Sequence, residues 1–301
     1  MQINFNNSVV IGAGRVALSL VHSLSAHSIK PKWVFSRSLE SARRLAEGYC
    51  IEQYSDTVTE LTHAPDFIFI CVPDDAIEKE AHKLASIALD FKNSIVLHFS
   101  GALNSDALSY LKVRGAKTAS FHIMRNFSTY EAVPLTGYTV AIESGEPIAL
   151  ENLKELALLV GLKPIILTKE QKTLYHAMAV YVSNFLVASV FNAQTIFNKL
   201  SLDAKFEEIV KPIVESSVAA IFEKGVNAAL SGPVERGDKL TIAKHIQALA
   251  EENLPRDVSR FYDAATSSLV RYMTERGGDE SGIYSEIEKL VTFNNQIRSN
   301  Q

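Results

Sequence analysis

Residues 8–17 read Ser-Val-Val-Ile-Gly-Ala-Gly-Arg-Val-Ala, and this stretch decides the fold. The apolar run before Gly12 predicts a strand, and the residues from Arg15 onward follow helical spacing. The Gly-x-Gly-x-x-Ala pattern between them is typical of a dinucleotide site: Gly12 permits the tight turn, Gly14 lets backbone approach a pyrophosphate, and Ala17 permits close helix–strand packing. A helix N-terminus also attracts phosphate. The alternative is a glycine turn that serves packing alone.

The rest of the first half alternates short apolar strands with helical patterns. Strands are predicted at 8–12, 32–36, 66–72, 94–98, 117–121, 138–142 and 164–167, with helices at 15–26, 39–48, 76–89 and 149–160. Such alternation predicts a mostly parallel sheet covered by helices on both faces.

The pattern changes near Leu167, after which no strand is predicted. Residues 169–199 predict one long helix, apolar nearly all round, which is typical of the buried axis of a helical domain. More helices are predicted at 206–224, 239–251, 256–276 and 281–298. We therefore expect an α/β protein: a Rossmann doubly wound, mostly parallel sheet over 1–167, then an all-α domain over 168–301.

Composition excludes several classes of protein. The 301 residues carry a net charge of −4, with 47% apolar and 21% charged side chains, which is ordinary for a globular chain. The mild acidity argues against a duplex nucleic-acid binder. The two cysteines, Cys50 and Cys71, predict no zinc site or disulfide, and no metal spacing is present. The longest apolar stretch, Ala177–Phe191, is shorter than the roughly 20 residues of a membrane span. With no signal-peptide pattern at the N-terminus, we expect a cytoplasmic protein with no membrane or nucleic-acid partner.

The end of the second strand selects the cofactor. An NAD site usually places Asp or Glu about 20 residues after the glycines, whereas this chain has Ser36-Arg37-Ser38. Arg37 can pair a 2′-phosphate, so we expect NADP(H) in preference to NAD(H); the alternative is a solvated surface arginine. The predicted cofactor-binding residues are Gly12, Ala13, Gly14, Arg15, Val16, Ser36, Arg37, Ser38, Val72, Pro73, Ser100 and Gly101. Asp74, which follows Pro73, is predicted to cap the next helix and not to take part in the chemistry.

The ends of two later strands supply candidate catalytic groups. His98 and Ser100 follow one strand, and His122 ends the next. Because ligands bind at the carboxyl ends of strands in open α/β sheets, these side chains are expected to converge on one crevice. A histidine buried and satisfied by backbone is the alternative for each ring.

Polar residues in the predicted long helix suggest the other wall of that crevice. His176, Ser183 and Asn184 are spaced i, i+7, i+8, within a narrow sector of a continuous helix. Unpaired buried polar groups cost about 1–3 kcal/mol each, so these are expected to face a cleft, with helix–helix hydrogen bonding as the alternative. Histidine titrates near neutral pH, which favours His176 as proton donor or carbonyl polariser. Asn184 would then orient the substrate, with Ser100 and His122 completing the catalytic set.

A second group of polar residues is assigned to the substrate. Lys172 lies one helical turn before His176, and Asp238, a predicted N-cap, is followed on the same helix face by Thr241 and His245. A solvated helix face is the alternative. The predicted substrate-binding residues are Lys172, Ser183, Arg236, Asp238, Thr241 and His245.

These motifs together resemble one protein family. They are the glycine loop, His98-Phe-Ser-Gly-Ala-Leu103, Ser120-Phe-His122, Tyr175-His176 with Ser183-Asn184, and Gly232-Pro-x-x-Arg-Gly-Asp238 with Thr241 and His245. They resemble bacterial proteins in which a Rossmann-like NADP-binding domain precedes the domain of unknown function 2520. The resemblance implies kinship with 6-phosphogluconate dehydrogenase, ketopantoate reductase and pyrroline-5-carboxylate reductase. It also implies a helical domain that closes over the nicotinamide and commonly forms a homodimer.

Two departures from the related sequences stand out. The family usually has Pro after the histidine at 122, whereas this chain has Ile123-Met-Arg-Asn126. The Gly-rich motif with a catalytic lysine, found in β-hydroxyacid dehydrogenases, is missing, and Lys172 does not match it. Residues beyond about 270 look like an extension.

Two functions follow from these observations. The first is an NADP(H)-dependent oxidoreductase that transfers hydride to or from a small polar carbonyl, hydroxy or imine substrate. The alternative is a non-catalytic NADP-binding sensor or interaction protein, since a fold alone does not fix a function.

Overall fold

The computed structural model describes residues 4–299, and the side chains of residues 4–292. The chain divides after Ser183 into two compact units. The first unit contains one eight-stranded sheet. Its strands are β1 Ser8–Ile11, β2 Trp33–Phe35, β3 Gln53–Ser55, β4 Phe67–Ile70, β5 Ile95–His98, β6 Lys117–Ile123, β7 Thr139–Glu143 and β8 Lys163–Ile166. Its helices are α1 Arg15–Ala26, α2 Leu39–Gly48, α3 Asp74–Ala85, α4 Ser109–Val113, α5 Pro147–Leu159 and α6 Lys169–Val182.

The sheet has the order β3-β2-β1-β4-β5-β6-β7-β8. Every neighbouring pair is parallel except β6 and β7, which are antiparallel. The order reverses beside β1, which places the crevice for a ligand at the carboxyl ends of β1 and β4. The predicted doubly wound, mostly parallel sheet followed by helices is confirmed.

Both faces of the sheet are buried, as the continuous apolar strands predict. Phe67 and Phe69 of β4 pack on one face with α1, α2 and α5, and Ile68 and Ile70 pack on the other with α3 and α4. The strand missed by sequence reasoning is β3, a three-residue edge strand of mostly polar residues. Its short length and polarity give no period-2 signal.

The second unit is helical throughout its described residues. Its helices are α7 Asn184–Phe197, α8 Phe206–Lys224, α9 Val226–Ala229, α10 Lys239–Glu251, α11 Arg256–Gly277 and α12 Ile283–Ser299. A small core joins α10, α11 and α12 through Ile242, Val270 and Ile287. The predicted break after α11 is present: Gly278 caps that helix with a φ of 74°, a conformation that glycine adopts without strain.

The predicted single helix over 169–199 is wrong, because α6 ends before Ser183 and α7 begins after it. The Ser183 hydroxyl donates to the carbonyl of Ala179 at 2.7 Å, a local bond that competes with regular helix geometry. The helical sector that placed His176 with Ser183 and Asn184 therefore does not apply. The two compact units divide after Ser183, whereas the sequence places the domain boundary after Leu167. Lys172 of α6, which lies between these positions, donates to the Ser100 carbonyl after β5.

The expectation that the long apolar segment is a buried axis is also wrong for the single chain. No residue of α7 is buried, and the side chains of Val187 and Phe191 are 64% and 61% exposed. By length and composition alone, the helical stretch Lys169–Phe197 could cross a membrane, and 6% of its apolar window is buried. The apolar run Ala177–Phe191, which the sequence analysis found too short for a membrane span, is thus part of this longer helical stretch.

Candidate functional site

The loop between β1 and α1 has the geometry that a bound pyrophosphate requires. Gly12 has a φ of 104°, and a Cβ there would lie 2.2 Å from the carbonyl oxygen of Cys71. Gly14 precedes α1, and a Cβ built on it meets no atom within 4 Å, so its surface is open. The first turn of α1 carries no acidic residue. An anion can therefore approach this helix N-terminus closely.

The segment between β6 and β7 lies over this loop, a feature that sequence reasoning missed. The Arg15 guanidinium donates to the carbonyl of Ser128 at 2.9 Å, and the Tyr130 hydroxyl donates to the carbonyl of Ala13. These partners are separated by more than a hundred residues, so no local pattern could reveal them. Two predicted cofactor residues, Ala13 and Arg15, are thereby held by the segment that follows His122.

The end of β2 presents a free cation. Arg37 is exposed and forms no ion pair with any residue that the structure describes. Ser38 caps α2, its hydroxyl oxygen accepting from the backbone N–H of Ser41 at 3.3 Å. The two residues thus differ: Ser38 already stabilises a helix, whereas Arg37 is available to an anionic ligand.

The side chain of Ser100 ties two elements together after β5. Its hydroxyl donates to the Asp74 carboxylate at 2.6 Å and accepts from the backbone N–H groups of Ala102 at 3.2 Å and Leu103 at 3.0 Å. The prediction that Asp74 is an N-cap is wrong. Pro73 holds that position, and Asp74 is the first residue of α3, where its carboxylate anchors Ser100. Val72, a predicted cofactor-binding residue that follows β4, is half-buried.

His98 has a structural role. Its ring is fully buried; Nδ1 accepts from the backbone N–H of Ser100 at 3.2 Å, so Nε2–H donates to the carbonyl of Asn104 at 3.0 Å. Burial, aided by the nearby positive charge of Lys172, lowers the pKa of His98 to about 4. A neutral ring with both nitrogens bonded holds the turn after β5 and offers nothing to a ligand.

Three aromatic side chains meet around Gly101. His122 of β6 contacts Tyr175 and His176 of α6 edge-on, with ring centroids 5.7 Å and 5.8 Å apart. A Cβ on Gly101 would lie 2.4 Å from His176 Nδ1 and 2.9 Å from His122 Nε2. Only glycine leaves room for both rings at this backbone. The expected proximity of His122 and His176 is present in the structure, whereas Tyr175, named only within a family motif, was given no role in the site.

Polar atoms in this aromatic group lack partners. The Nδ1 atoms of His122 and His176 and the hydroxyl of Tyr175 are buried and form no hydrogen bond within the described structure. Burial, with the charge of Lys172 and the neighbouring His176, lowers the pKa of His122 to about 4; burial raises the pKa of Tyr175 to about 12. Each unpaired group is costly by about 1–3 kcal/mol. The three atoms belong to rings that contact one another through His122, and a polar ligand that reached them would satisfy them.

Lys172 lies beneath this group and is 1% exposed. Its ammonium donates to the carbonyl of Ser100 at 2.8 Å and to the hydroxyl of Ser120. Burial lowers the pKa of Lys172 to about 8, against the opposing effect of the Glu143 and Asp74 carboxylates. The predicted substrate residue therefore points into the protein.

The predicted polar residues of the second unit have local roles. Asp238 is the N-cap of α10, as predicted, and accepts from the Thr241 backbone N–H at 3.0 Å and hydroxyl at 2.6 Å. His245 Nδ1 lies 3.0 Å from the Tyr262 hydroxyl. Arg236 lies in the turn before α10, and Asn184 is the first residue of α7.

Metal ligation receives no support from the described residues. Among them, no group of three or more His, Cys, Asp or Glu side chains could hold a metal ion. Cys71 is buried and Cys50 is exposed, both as free thiols.

Two protein families match the sequence. Residues 8–98 match the family described as NADP oxidoreductase, coenzyme F420-dependent. Residues 138–269 match the domain of unknown function DUF2520. The two matches confirm the resemblance drawn from the motifs. No curated protein matches the chain.

Solved structures share the fold across nearly the whole chain. A provisionally assigned NADP oxidoreductase from Bacteroides fragilis has a TM-score of 0.71 at 22% identity, covering 87% of this chain and 96% of its own. A reductive aminase from Aspergillus terreus, solved with NADPH and ethyl-5-oxohexanoate, has a TM-score of 0.65 at 16% identity and covers 97% and 99%. An imine reductase from Myxococcus stipitatus, solved with NADP+, has a TM-score of 0.65 at 14% identity and covers 93% and 99%. At these identities the likeness shows the fold.

Proposed function

We propose that this chain, which carries an N-terminal domain of the NADP oxidoreductase, coenzyme F420-dependent family followed by a DUF2520 domain, is an NADP(H)-dependent reductase. Its substrate is a small polar carbonyl or imine compound. The observation that carries the proposal is the group of three buried, unpaired polar atoms on His122, Tyr175 and His176, whose rings contact one another through His122. That group lies at the carboxyl ends of β5 and β6, where α/β sheets bind ligands.

The first unit fits NADP(H) through two features. The open backbone at Gly14 and the acid-free first turn of α1 suit the pyrophosphate. The unpaired guanidinium of Arg37 suits a 2′-phosphate, for which the residues Ser36–Ser38 offer no repelling carboxylate. The solved reductases of the same fold that contain NADPH or NADP+ support this preference.

NADPH, when bound, supplies the hydride. The residues of this chain then handle the substrate oxygen or nitrogen and its proton. His176 is assigned as the proton donor because its buried Nδ1 has no other partner. His122, with its pKa lowered to about 4, stays neutral near pH 7 and acts through a hydrogen bond. Ser100, anchored by Asp74, fixes the Gly101 backbone against which both rings pack.

Substrate-binding roles for Asn184, Ser183, Arg236, Asp238, Thr241 and His245 stay predictions. Arg236 is the strongest of these because it is suited to pair a substrate carboxylate. Substitution of Arg236 by alanine is expected to raise KM for a carboxylate-bearing substrate and leave NADPH affinity unchanged.

We also propose that the protein is a homodimer formed through its helices. In α8 only Phe206 is buried, while Ile213 and Phe222 are 64% and 85% exposed. Together with the exposed face of α7, this apolar surface is larger than monomeric proteins usually leave in water. A second copy is the simplest partner. Sedimentation analysis should show a dimer, and Phe222→Asp should weaken its association. A monomer that floats with liposomes would instead favour membrane insertion of Lys169–Phe197.

The test of the proposed reaction is NADPH oxidation with a panel of small carbonyl and imine compounds, followed by absorbance. The parent protein is expected to turn over at least one of them. His176→Ala should abolish turnover and retain NADPH binding, with exposed His27→Ala as the matched control that keeps parental rates. Tight NADPH binding without oxidation across the whole panel would favour the sensor alternative.

A further inference from the structure

Lys172 is a buried cation without a carboxylate partner in contact. Its side chain is 1% exposed, and it makes no ion pair within 4 Å with a described acidic residue. Burying a charge is costly unless it is paired, and an apolar side chain of similar volume is often at least as stable. The lysine is therefore hard to explain by stability alone.

The contacts of Lys172 join two strand ends. Its ammonium donates to the Ser100 carbonyl at 2.8 Å and to the Ser120 hydroxyl, and that hydroxyl also donates to the Ser100 carbonyl at 3.3 Å. Ser100 follows β5 and Ser120 lies in β6, so this three-membered node fixes the backbone that leads directly into Gly101. The carboxylate of Asp74 holds the hydroxyl of the same serine from α3.

The node determines the position of the histidine pair. Lys172 and His176 are one turn apart on α6, so the point that anchors the helix to the sheet also sets where the His176 ring lies. Gly101, fixed by the same node, is the surface against which His176 and His122 pack. A shift of the helix or of the turn would move the two imidazoles relative to each other.

We infer that Lys172 is a positioning residue for this site, holding the Ser100–Gly101 turn to β6 beneath the two histidine rings. It is not a substrate ligand. The inference rests on the proposed function, because it assigns Lys172 a role in that same site.

The charge of Lys172 has a second effect on the site. The charged and titratable groups that face it come from four elements: Asp74 of α3, His98 of β5, His122 of β6 and Glu143 of β7. The two carboxylates favour the ammonium form. Burial is the larger cause and that ammonium a further one of the lowered pKa values of His98 and His122, both about 4. His176 of α6 also opposes protonation of His122, and Asp74 favours it. Loss of the positive charge is therefore expected to let His122 protonate at a higher pH.

The test compares Lys172→Met with two matched variants. Lys169→Met removes a partly exposed lysine that lies one turn before Lys172 on the same helix and pairs with Asp106. Ser120→Ala removes one acceptor of the node and keeps the charge. The imidazole titration of His122, followed by NMR in the full chain, needs no turnover. We expect its midpoint to rise in Lys172→Met and to stay parental in Lys169→Met and Ser120→Ala.

The kinetic readout separates positioning from substrate binding. In Lys172→Met, kcat is expected to fall by about a hundredfold, as a displacement near 1 Å can produce, with KM within about threefold of the parent value. Ser120→Ala should lower kcat by about tenfold. A change confined to KM, or a parental His122 midpoint with parental kcat, would overturn the inference.

Two further outcomes keep the test decisive. If Lys172→Met does not fold, Ser120→Ala decides: a parental kcat overturns the positioning role and a lowered kcat supports it. If the parent turns over no compound, the proposed reaction fails, and a raised His122 midpoint in Lys172→Met still supports the role of Lys172 in the site.

Discussion

Gly101→Ala places a methyl group where the two histidine rings of the proposed site now lie. The added carbon would be 2.4 Å from His176 Nδ1 and 2.9 Å from His122 Nε2, whereas ordinary contact begins at 3.4 Å. The His176 ring must therefore move by about 1 Å. A misplacement of that size costs about a hundredfold in rate when it affects a reacting group. The backbone at Gly101 requires no positive φ, so the chain itself tolerates alanine and the fold should remain.

The assay for this variant is kcat/KM for NADPH oxidation with the best compound of the panel, alongside Tm and NADPH affinity. We expect kcat/KM to fall about a hundredfold, with NADPH affinity within about twofold of the parent. Gly145→Ala is the matched control, because a Cβ there meets no atom within 4 Å. A parental kcat/KM in Gly101→Ala would refute the reasoning that the two rings act at this backbone.

Three other predictions follow from the geometry. NADPH should raise Tm more than NADH does, and Arg37→Ala should reduce the difference between the two Tm shifts. Equal Tm shifts from both cofactors in the parent would contradict the role of Arg37. Gly12→Ala should destabilise the protein by about 1–3 kcal/mol in urea unfolding, because its φ of 104° and the carbonyl of Cys71 both oppose a side chain; a parental midpoint would contradict this. The pKa values of His98 and His122 are lowered to about 4 in the folded chain. Between about pH 6.5 and pH 4 the unfolded chain therefore binds more protons than the folded chain, and the free energy of unfolding falls as the pH falls through that window. The free energy of unfolding should fall by on the order of 1–2 kcal/mol per histidine from pH 7 to pH 5. In urea unfolding at those two pH values, His122→Gln should show a smaller fall than the parent. Equal falls would count against a buried neutral His122.

The fold of the first unit could be predicted because its signals are local. The helix bounds Arg15–Ala26 and Leu39–Gly48 match the structure, since each helix follows a short strand and a turn of small or polar residues. The buried strand Phe67–Ile70 is also recognisable from its unbroken apolar run. Both features depend on residues that are neighbours in sequence.

The candidate site could be predicted only in part, because its contacts join distant segments. His122 was placed at the site by reasoning about strand ends and His176 by a helical sector that the break at Ser183 removes, while Lys172 was assigned to the substrate. Its partners, Ser100 and Ser120, lie 72 and 52 residues away. The break at Ser183 carries no glycine or proline signal and arises from a hydroxyl bond to the preceding turn. The contacts of Lys172 follow from tertiary packing and not from spacing.

The most direct test of the proposed chemistry follows the hydride itself. NADPH that carries deuterium at both hydrogen positions of the nicotinamide C4 would be incubated with the best carbonyl or imine compound, and the product analysed by mass spectrometry. We expect deuterium in the reduced product from the parent protein and none from His176→Ala, although both bind NADPH. Tight binding of NADPH by the parent with no deuterium in any product would contradict the assignment of this chain as a reductase.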